Sequence, residues 1–339
     1  MTSSEVLKAL ATRTDAPVAV VDLTRADHYA RATRADRTWT QYRSAFRLFA
    51  DWCAERGLSP MPAAAVTLRA YVAWLADQGR TVATINAYVA AIASAHSIAN
   101  EPFDRSALKD DLKGIRKDKP RKPRQARPLV TTDLKAILGD FGEEAIDVRD
   151  RLLLTLGFAG ALRRSELVGL DWQHPGDGTG FMSRDERGIA VTLLRSKAGN
   201  GELVEVIIPC SDMPAACAAL EVWVARAKLN PGEPVFRPIN KGGEIGTGRL
   251  GGRSVALVIK ARVRERALAV GQSEADADAL AELCSGHSLR AGYCTAAALA
   301  GTPEWKIRRR SRHKTAELVA RYVRAAEQWT DSGLKNIGF

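Results

Sequence analysis

The sequence is poor in the features of secreted, membrane-spanning and metal-binding proteins. Its 339 residues include five cysteines, none in a CxxC pair, which argues against a disulfide framework or structural zinc and for a reducing cytoplasm. No apolar run approaches the roughly 20 residues that span a bilayer, and the first residues lack the basic-then-apolar layout of a signal peptide. No set of histidine, cysteine and carboxylate residues has metal-ligand spacing, so we expect no metal and no other cofactor.

Two further absences concern the partner. Glycine-rich RNA motifs and aromatic stacking platforms are missing, which disfavours an RNA-binding protein. A long basic amphipathic helix with exposed tryptophan or phenylalanine, which would favour a membrane surface, is missing too. What the chain has is positive charge, with 50 lysines and arginines against 39 acidic residues and a net charge of +11. This balance favours a polyanionic partner, and nucleic acid first.

Hydrophobic periodicity divides the chain into a small helical part and a longer mixed part. Residues 1–34 are small and polar and are expected to form a flexible arm. Apolar residues at three- and four-residue spacing then predict an all-helical domain over residues 35–112. Residues 129–339 combine helical patterns with two strand-like runs, GIAVTLLRS and LVEVIIPC, joined by the turn KAGNGE. We therefore predict a mainly α fold with a small antiparallel β-sheet, in two domains.

The segment between these parts, residues 113–128, holds eight basic residues, one acid and three prolines. Prolines and like-charge repulsion favour an extended interdomain linker. Such a linker could lie across a phosphate backbone or serve only as a solvated tether, and the sequence leaves both readings open.

Three short patterns in the second part carry charged side chains, and each has an ordinary structural explanation. Arg163 and Glu166 are three residues apart in GALRRSEL and share a helix face, as a surface ion pair would. His287 and Arg290 have the same spacing in GHSLRAGY, near a predicted helix start. Lys197 begins the hairpin turn, where a lysine normally faces solvent.

A fourth pattern is SRHKTAELVARYVR, in which Tyr322 follows His313 by nine residues. On this segment alone Tyr322 is a core tyrosine, because it lies four residues after Leu318 on an apolar stripe. Within one helix, nine residues would place His313 and Tyr322 on opposite faces. They can contact one substrate only if the helix is interrupted between them, and Thr315 is a plausible N-cap for a new helix.

Together and in this order, the patterns resemble the active site of the tyrosine recombinase (lambda-integrase) family. The resemblance spans residues 35 to 339, and the amino-acid sequence around the motifs is most similar to that of the Cre-type site-specific recombinases. One departure is Arg312, where many members have glycine, and we expect it to occupy a permissive position. The matching positions are Arg163, Lys197, His287, Arg290, His313 and Tyr322, with Glu166 as the accompanying acid.

The resemblance implies a DNA strand transferase that clamps double-stranded DNA between a core-binding domain and a catalytic domain. Tyr322 would attack a phosphodiester and form a 3′-phosphotyrosyl link, without metal or ATP. Guanidinium groups bind nonbridging phosphate oxygens in a fork, which suits Arg163 and Arg290. His287 is the nearest candidate base for the phenol, and Lys197 would protonate the departing 5′ oxygen.

The two remaining members of the set have supporting roles in this interpretation. His313 would be a further donor to phosphate. Glu166 would orient Arg163 or His287.

The resemblance also implies an assembly and a location. Four protomers would act on two inverted-repeat sites through a Holliday junction, and the tail over residues 325–339 would dock in trans into a neighbour. We expect a cytoplasmic, nucleoid-associated protein of a prokaryote or of a phage or plasmid element.

Residues that contact DNA are harder to assign, because phosphate contact or plain exposure explains them equally well. Arg308, Arg309, Arg310 and Arg312 are expected to meet phosphate or water. The candidates for DNA binding are Thr84, Asn86, Ala87, Arg253, Lys241, Arg121 and Lys122.

Two alternatives remain open. The same chemistry could serve a hairpin telomere resolvase or a type IB topoisomerase-like enzyme. A catalytically silent DNA-binding accessory protein is the other alternative, and the intact set from Arg163 to Tyr322 argues against it.

Overall fold

The structure, a computed structural model, describes residues 36–119, 125–194 and 203–327. The predicted arm over residues 1–34 and the chain after residue 327 lie outside the described residues. The chain divides into two compact units, Met1–Pro123 and Arg124–Phe339.

The described part of the first unit is helical. Apolar residues recurring along its first three helices form a core in which the ring centroids of Phe49, Trp52 and Tyr71 lie 4.9 to 6.4 Å apart. The hydroxyl of Thr81 caps the third helix by accepting a hydrogen bond from the backbone of Thr84 at 3.2 Å. The elements are α1 (Asp36–Ala54), α2 (Ala65–Asp77), α3 (Val82–Ala99), a 3₁₀ turn (Ser106–Leu108) and α4 (Lys109–Asp118).

Helix α3 is the one described helix long and apolar enough, by length and composition, to cross a membrane; its mean hydropathy is 1.3 over 18 residues. Core helices pass the same test. Ile85, Val89 and Ile92 lie on the buried face of α3, at most 1% exposed, in the core of the first unit. Their packing explains the apolar composition of the helix.

The prediction of an extended segment over residues 113–128 is wrong for its first part, because residues 113–118 belong to α4. Leu112 and Ile115 pack against the core of the first unit, and Arg69 pairs with Asp111 at 2.7 Å. These contacts outweigh the repulsion between the basic side chains, which point to solvent.

The second unit combines helices with a four-stranded sheet. Helical and strand-like patterns in the sequence coincide with most of these elements, but two strands (Leu170–Trp172 and Gly180–Arg184) and two helices (Glu274–Glu282 and Glu304–Ser311) are not among the predicted elements. The elements are α5 (Thr131–Gly139), α6 (Ala145–Ala159), α7 (Arg164–Val168), β1 (Leu170–Trp172), β2 (Gly180–Arg184), β3 (Gly188–Leu193), β4 (Val204–Pro209), α8 (Pro214–Ala227), α9 (Gly252–Ala269), α10 (Glu274–Glu282), α11 (Ser288–Leu299), α12 (Glu304–Ser311) and α13 (Ala316–Glu327).

The sheet has the strand order β1-β2-β3-β4. The antiparallel β3–β4 pair confirms the predicted hairpin, but β1 and β2 are parallel, so the sheet is mixed rather than antiparallel. The loop between them is held by Asp171, a fully buried carboxylate that accepts hydrogen bonds from the backbones of Gly176 and Gly178 at 2.8 and 3.0 Å. Arg249 pairs with the same carboxylate at 2.6 Å.

One pair of cysteines forms a disulfide, although the cysteine number and spacing argue against a disulfide framework. Cys210 and Cys217 form a disulfide, with Cα atoms 5.8 Å apart. The short turn between β4 and α8 brings the two cysteines together, and a spacing of seven residues in the sequence does not by itself predict a disulfide. Cys53, Cys284 and Cys294 are free and buried.

Close packing of the chain before α5 positions α11. The backbone nitrogen of Leu129 donates to the carbonyl of Ser288 at 3.1 Å. A Cβ at Gly292 would lie 1.8 Å from the Leu129 carbonyl oxygen, so only glycine permits this approach. Helix α11 carries Arg290, and its position therefore depends on this contact.

Candidate active site

The turn between α6 and α7 holds Arg163 and Glu166 together. Arg163 immediately precedes α7, and Glu166 is the third residue of the helix. One oxygen of the Glu166 carboxylate accepts from the Arg163 backbone at 2.8 Å, and the other accepts from the Arg163 guanidinium at 2.5 Å. The acid therefore caps the helix and aligns the arginine at once.

Arg312 is a third member of this cluster, and the expectation that it faces a permissive position, phosphate or water is wrong. Its side chain is 6% exposed and donates to Glu166 at 2.7 Å. It also donates to the carbonyl oxygens of Gly160, Ala161 and Arg310 at 3.1, 3.2 and 2.8 Å. Burial among these acceptors keeps the guanidinium away from solvent.

Two arginines set the charge state of Glu166. Burial acts to raise the pKa of this carboxyl, but Arg312 and Arg163 outweigh burial, and the pKa lies below its usual value. The carboxylate is therefore ionised at neutral pH. It compensates part of the positive charge that the site concentrates.

Arg290 is a buried cation with unused hydrogen-bond donors. It is 1% exposed, and its Nη1 donates to the carbonyl of Ala161 at 2.8 Å. Its Nε and Nη2 atoms are buried without a hydrogen-bond partner among the described residues. Burial, with Arg163 and Arg312, lowers its pKa to about 10, so it remains charged at neutral pH. Buried donors without partners cost free energy unless an anion binds them.

Tyr322 and His287 meet although they lie on different elements. Helix α13 packs its inner face on α11 and α12, in a small apolar cluster that includes Cys294, Ile307 and Val319. This places the Tyr322 hydroxyl 3.4 Å from Nε2 of His287, the residue that precedes α11.

The pKa shifts of this pair are complementary. Burial raises the pKa of the Tyr322 phenol more than Arg290 and Arg321 lower it. Desolvation by the surrounding protein, with Arg290 and Arg163, lowers the pKa of His287, although its side chain reaches solvent. At neutral pH the phenol is therefore protonated and the imidazole neutral, which is the arrangement that a proton transfer from phenol to imidazole requires.

His313 lies in the break between α12 and α13, which confirms the predicted interruption of the helix. The Ser311 hydroxyl lies 2.7 Å from its Nδ1 and fixes the ring, whose centroid is 6.0 Å from that of Tyr322. Burial and Arg290 lower the His313 pKa to about 4. The imidazole is therefore neutral near pH 7.

The structure thus brings six of the seven predicted catalytic positions into one site, while Lys197 lies outside the described residues. Glu166 orients Arg163 and Arg312, and within the described residues no hydrogen bond joins it to His287. The six are Arg163, Glu166, His287, Arg290, His313 and Tyr322.

The predicted DNA contacts on α3 are partly occupied within the protein. The Thr84 hydroxyl lies 3.0 Å from that of Thr81. The Asn86 amide donates to the carbonyl of Val82 at 2.9 Å and accepts from Arg105 at 3.3 Å. Ala87 is exposed.

The other DNA-contact candidates fall into two groups. Arg253, at the start of α9, and Lys241 are exposed, while Arg121 and Lys122 lie outside the described residues. Among the α12 arginines, Arg310 donates to the carbonyl of Ala159 at 2.9 Å and also to that of Ile207.

Sequence reasoning missed three supports of the site, namely Arg312, Ser311 and the carbonyl of Ala161. The signal for Arg312 was its place immediately before His313, where glycine is common in the resembling family. Arg312 has φ 56° and Ala161 has φ 43°, conformations that favour glycine. A non-glycine residue held there indicates that its surroundings enforce the conformation.

No protein-family model matches the chain. It is 30% identical over 316 residues to an integrase/recombinase xerD homolog of Selenomonas ruminantium, covering 90% of this chain and 86% of that protein.

Two solved structures have a similar fold at 14% identity. XerH site-specific recombinase, bound to palindromic difH substrate in a post-cleavage complex, gives a TM-score of 0.57 and covers 88% of this chain and 79% of its own. The Tn1549 transposon integrase, in complex with transposon right end DNA, gives a TM-score of 0.52 and covers 98% of this chain and 100% of its own. The finer likeness to Cre-type enzymes stays a prediction.

Proposed function

This chain belongs to the tyrosine recombinase family, and on that premise we propose that it is a site-specific DNA recombinase with Tyr322 as its nucleophile. The observation that carries the proposal is the pair of unpartnered buried donors on Arg290 within the cluster around Tyr322. A phosphodiester is an anion with oxygen acceptors that such donors bind.

In the proposed first step, the Tyr322 oxygen attacks a DNA phosphorus atom and the bond from phosphorus to the 5′ oxygen breaks. The phenolic proton passes to His287, whose Nε2 is 3.4 Å away. Lys197 gives a proton to the departing 5′ oxygen. The product is a 3′-phosphotyrosyl ester and a free 5′-hydroxyl. This hydroxyl, or that of another strand, can reverse the step, because the ester keeps the free energy of the original linkage.

Negative charge grows on the nonbridging oxygens as the phosphorus is attacked. Arg163 and Arg290 would hold these oxygens, with His313 as a neutral donor. Donors that are already in place require no reorganisation when the charge develops, and each such donor typically contributes about 10²–10³ in rate. Glu166 keeps Arg163 in place at 2.5 Å.

We propose double-stranded DNA with an inverted-repeat site as the substrate and a homotetramer on two such sites as the active assembly. Strand exchange in this assembly would pass through a Holliday junction. The xerD homolog, the XerH recombinase and the Tn1549 integrase support action on DNA. The setting would be the cytoplasm, at a bacterial nucleoid or the DNA of a phage or plasmid.

The test uses nicked suicide fragments tiled across the DNA element that encodes the protein. When cleavage occurs close to the nick, the short fragment that carries the new 5′-hydroxyl diffuses away and the strand cannot be rejoined. The covalent protein–DNA adduct therefore accumulates and is seen on a denaturing gel. Wild type is expected to form the adduct and Tyr322→Phe is not. Tyr293→Phe is the matched control, since Tyr293 is also a half-buried tyrosine of this unit and packs against Phe158.

Two results would contradict the proposal. One is an adduct that survives in Tyr322→Phe, which would assign the nucleophile elsewhere. The other is tight binding of a fragment by the wild type without any adduct, which would favour a silent accessory protein.

A further inference from the structure

We propose that Arg312 is a positioning residue for cleavage, which holds the phosphate clamp (Arg163 and Arg290) and His313 in place without touching the substrate. The inference rests on the proposed function of the same site. It begins from the buried cluster of Arg312, Glu166 and the turn at Gly160 and Ala161.

The backbone gives the first reason. Arg312 ends α12 with φ 56°, in the left-handed region that is strained for any residue with a Cβ. Ala161, whose carbonyl accepts from Arg312, also has a positive φ of 43°. Two non-glycine residues in this conformation therefore meet within one site. Backbone strain of this kind persists only where surrounding contacts enforce it.

The side-chain contacts are the second reason. The guanidinium of Arg312 binds three parts of the chain: the turn after α6 through Gly160 and Ala161, α7 through Glu166, and the end of α12 through Arg310. The Glu166 and Arg312 side chains are 8% and 6% exposed. Because the planar fork of arginine reaches several acceptors at fixed angles, a lysine ammonium cannot replace all of these bonds.

The third reason is how these contacts reach the clamp. The backbone carbonyl of Arg312 accepts from Nη2 of Arg163 at 3.0 Å. The Ala161 carbonyl, which Arg312 binds at 3.2 Å, accepts from Nη1 of Arg290 at 2.8 Å. His313 is the next residue in the chain. Arg312 thus orients an acceptor for each clamp arginine and the start of the loop that carries the histidine.

Charge balance points the same way. Glu166 is shared between Arg163, at 2.5 Å, and Arg312, at 2.7 Å. Without Arg312, the carboxylate would interact with Arg163 alone and would draw it away from a bound phosphate. The backbone at residue 312 would also lose its four side-chain anchors.

The experiment compares Arg312→Gly, Arg312→Lys and wild type in single-turnover cleavage of a suicide fragment, with DNA dissociation constants and melting temperatures measured alongside. Glycine relieves the backbone strain and removes the guanidinium. If Arg312 positions the clamp, adduct formation slows by about 10–100-fold while the dissociation constant for DNA changes less than about threefold, because displacement of catalytic groups affects the rate first. Arg312→Lys should give an intermediate rate.

Lys228→Gly is the matched control. Lys228 is likewise a long cation at a helix C-terminus with a positive φ, of 48°, but it is exposed and has no assigned role. Its replacement should leave the cleavage rate unchanged.

Each outcome separates the possibilities. Cleavage by folded Arg312→Gly within twofold of the wild-type rate would overturn the proposal. If Arg312→Gly does not fold, Arg312→Lys decides in the same way. A wild-type protein that forms no Tyr322-dependent adduct would instead contradict the proposed function, so failure of the one is distinguishable from failure of the other.

Discussion

The hydroxyl oxygen of Tyr322 lies 3.4 Å from Nε2 of His287, across 35 residues of sequence. The contact forms because α13 packs on α11 and α12 of the second unit. On the proposed function, this packing places the imidazole where it can accept the phenolic proton.

His287→Ala should lower the rate of adduct formation by about 10²–10⁴-fold, the usual contribution of a general base. The pKa of His287 lies below its ordinary value of 6.5 because of desolvation, Arg290 and Arg163. The neutral, accepting form is lost as the pH falls through this lowered pKa. Wild-type cleavage should therefore be constant around neutral pH and decline on the acid side of 6.5, and His287→Ala should lack this decline. Single-turnover rates from pH 5 to 8 test the prediction. An unchanged acid decline in the variant would assign it to another group.

Arg290→Met should slow cleavage strongly without destabilising the DNA-free protein. The fold disfavours the charged guanidinium, as its pKa of about 10 shows, and two of its nitrogens are buried without partners among the described residues. Removing such a charge is neutral or stabilising, whereas loss of the phosphate donors should slow cleavage by at least about 10².

Arg149→Met is the contrasting variant, since Arg149 is equally buried but bonded to Asp150 at 2.7 Å. Removing Arg149 leaves the buried Asp150 paired with Arg262 alone, at 2.8 Å, and should lower the unfolding free energy by about 1–3 kcal/mol. Chemical denaturation compares the two variants. A loss of stability in Arg290→Met as large as in Arg149→Met would refute the idea that Arg290 is held at a cost in stability.

His96→Ala should destabilise the first unit by about 2–4 kcal/mol. His96 is fully buried, its Nε2 accepts from the backbone of Ala63 at 3.0 Å, and its Nδ1 lies 2.8 Å from the carbonyl of Ile92. Removal of the ring leaves a cavity and an unpaired backbone donor. Thermal unfolding measures the effect, with the exposed His174→Ala as control. Equal melting temperatures for the two variants would be inconsistent with this role.

Gly292→Ala should impair both folding and cleavage. The new Cβ would lie 1.8 Å from the Leu129 carbonyl oxygen, so α11 must shift together with Arg290. Overpacking against backbone on this scale costs about 3 kcal/mol or more. Gly114→Ala in α4 is the control, because nothing lies within 4 Å of its added Cβ, and it should stabilise by about 0.5–1 kcal/mol. A Gly292→Ala protein as stable as wild type would contradict this prediction, because it would show that the backbone at Leu129 can move to accommodate the methyl group.

Local pattern was enough to predict much of the architecture. Three- and four-residue spacing of apolar side chains predicted the long helices, and two strand-like runs joined by a turn predicted the β3–β4 hairpin. The nine residues from His313 to Tyr322 predicted a helix break that the structure contains between α12 and α13. These features depend on interactions between residues close in sequence, which is why periodicity and capping report them.

The order and spacing of the candidate catalytic residues, and the basic charge that favours a nucleic-acid partner, can be read from the amino-acid sequence. The surroundings of these residues follow from how the helices pack. Arg312 binds Glu166 across 146 residues, and Arg290 binds the Ala161 carbonyl across 129. Burial and long-range partners depend on how helices pack, and no local pattern encodes that arrangement. For this reason the sequence predicts a solvent-facing cation at Arg312, whereas the fold buries its side chain at the centre of the site.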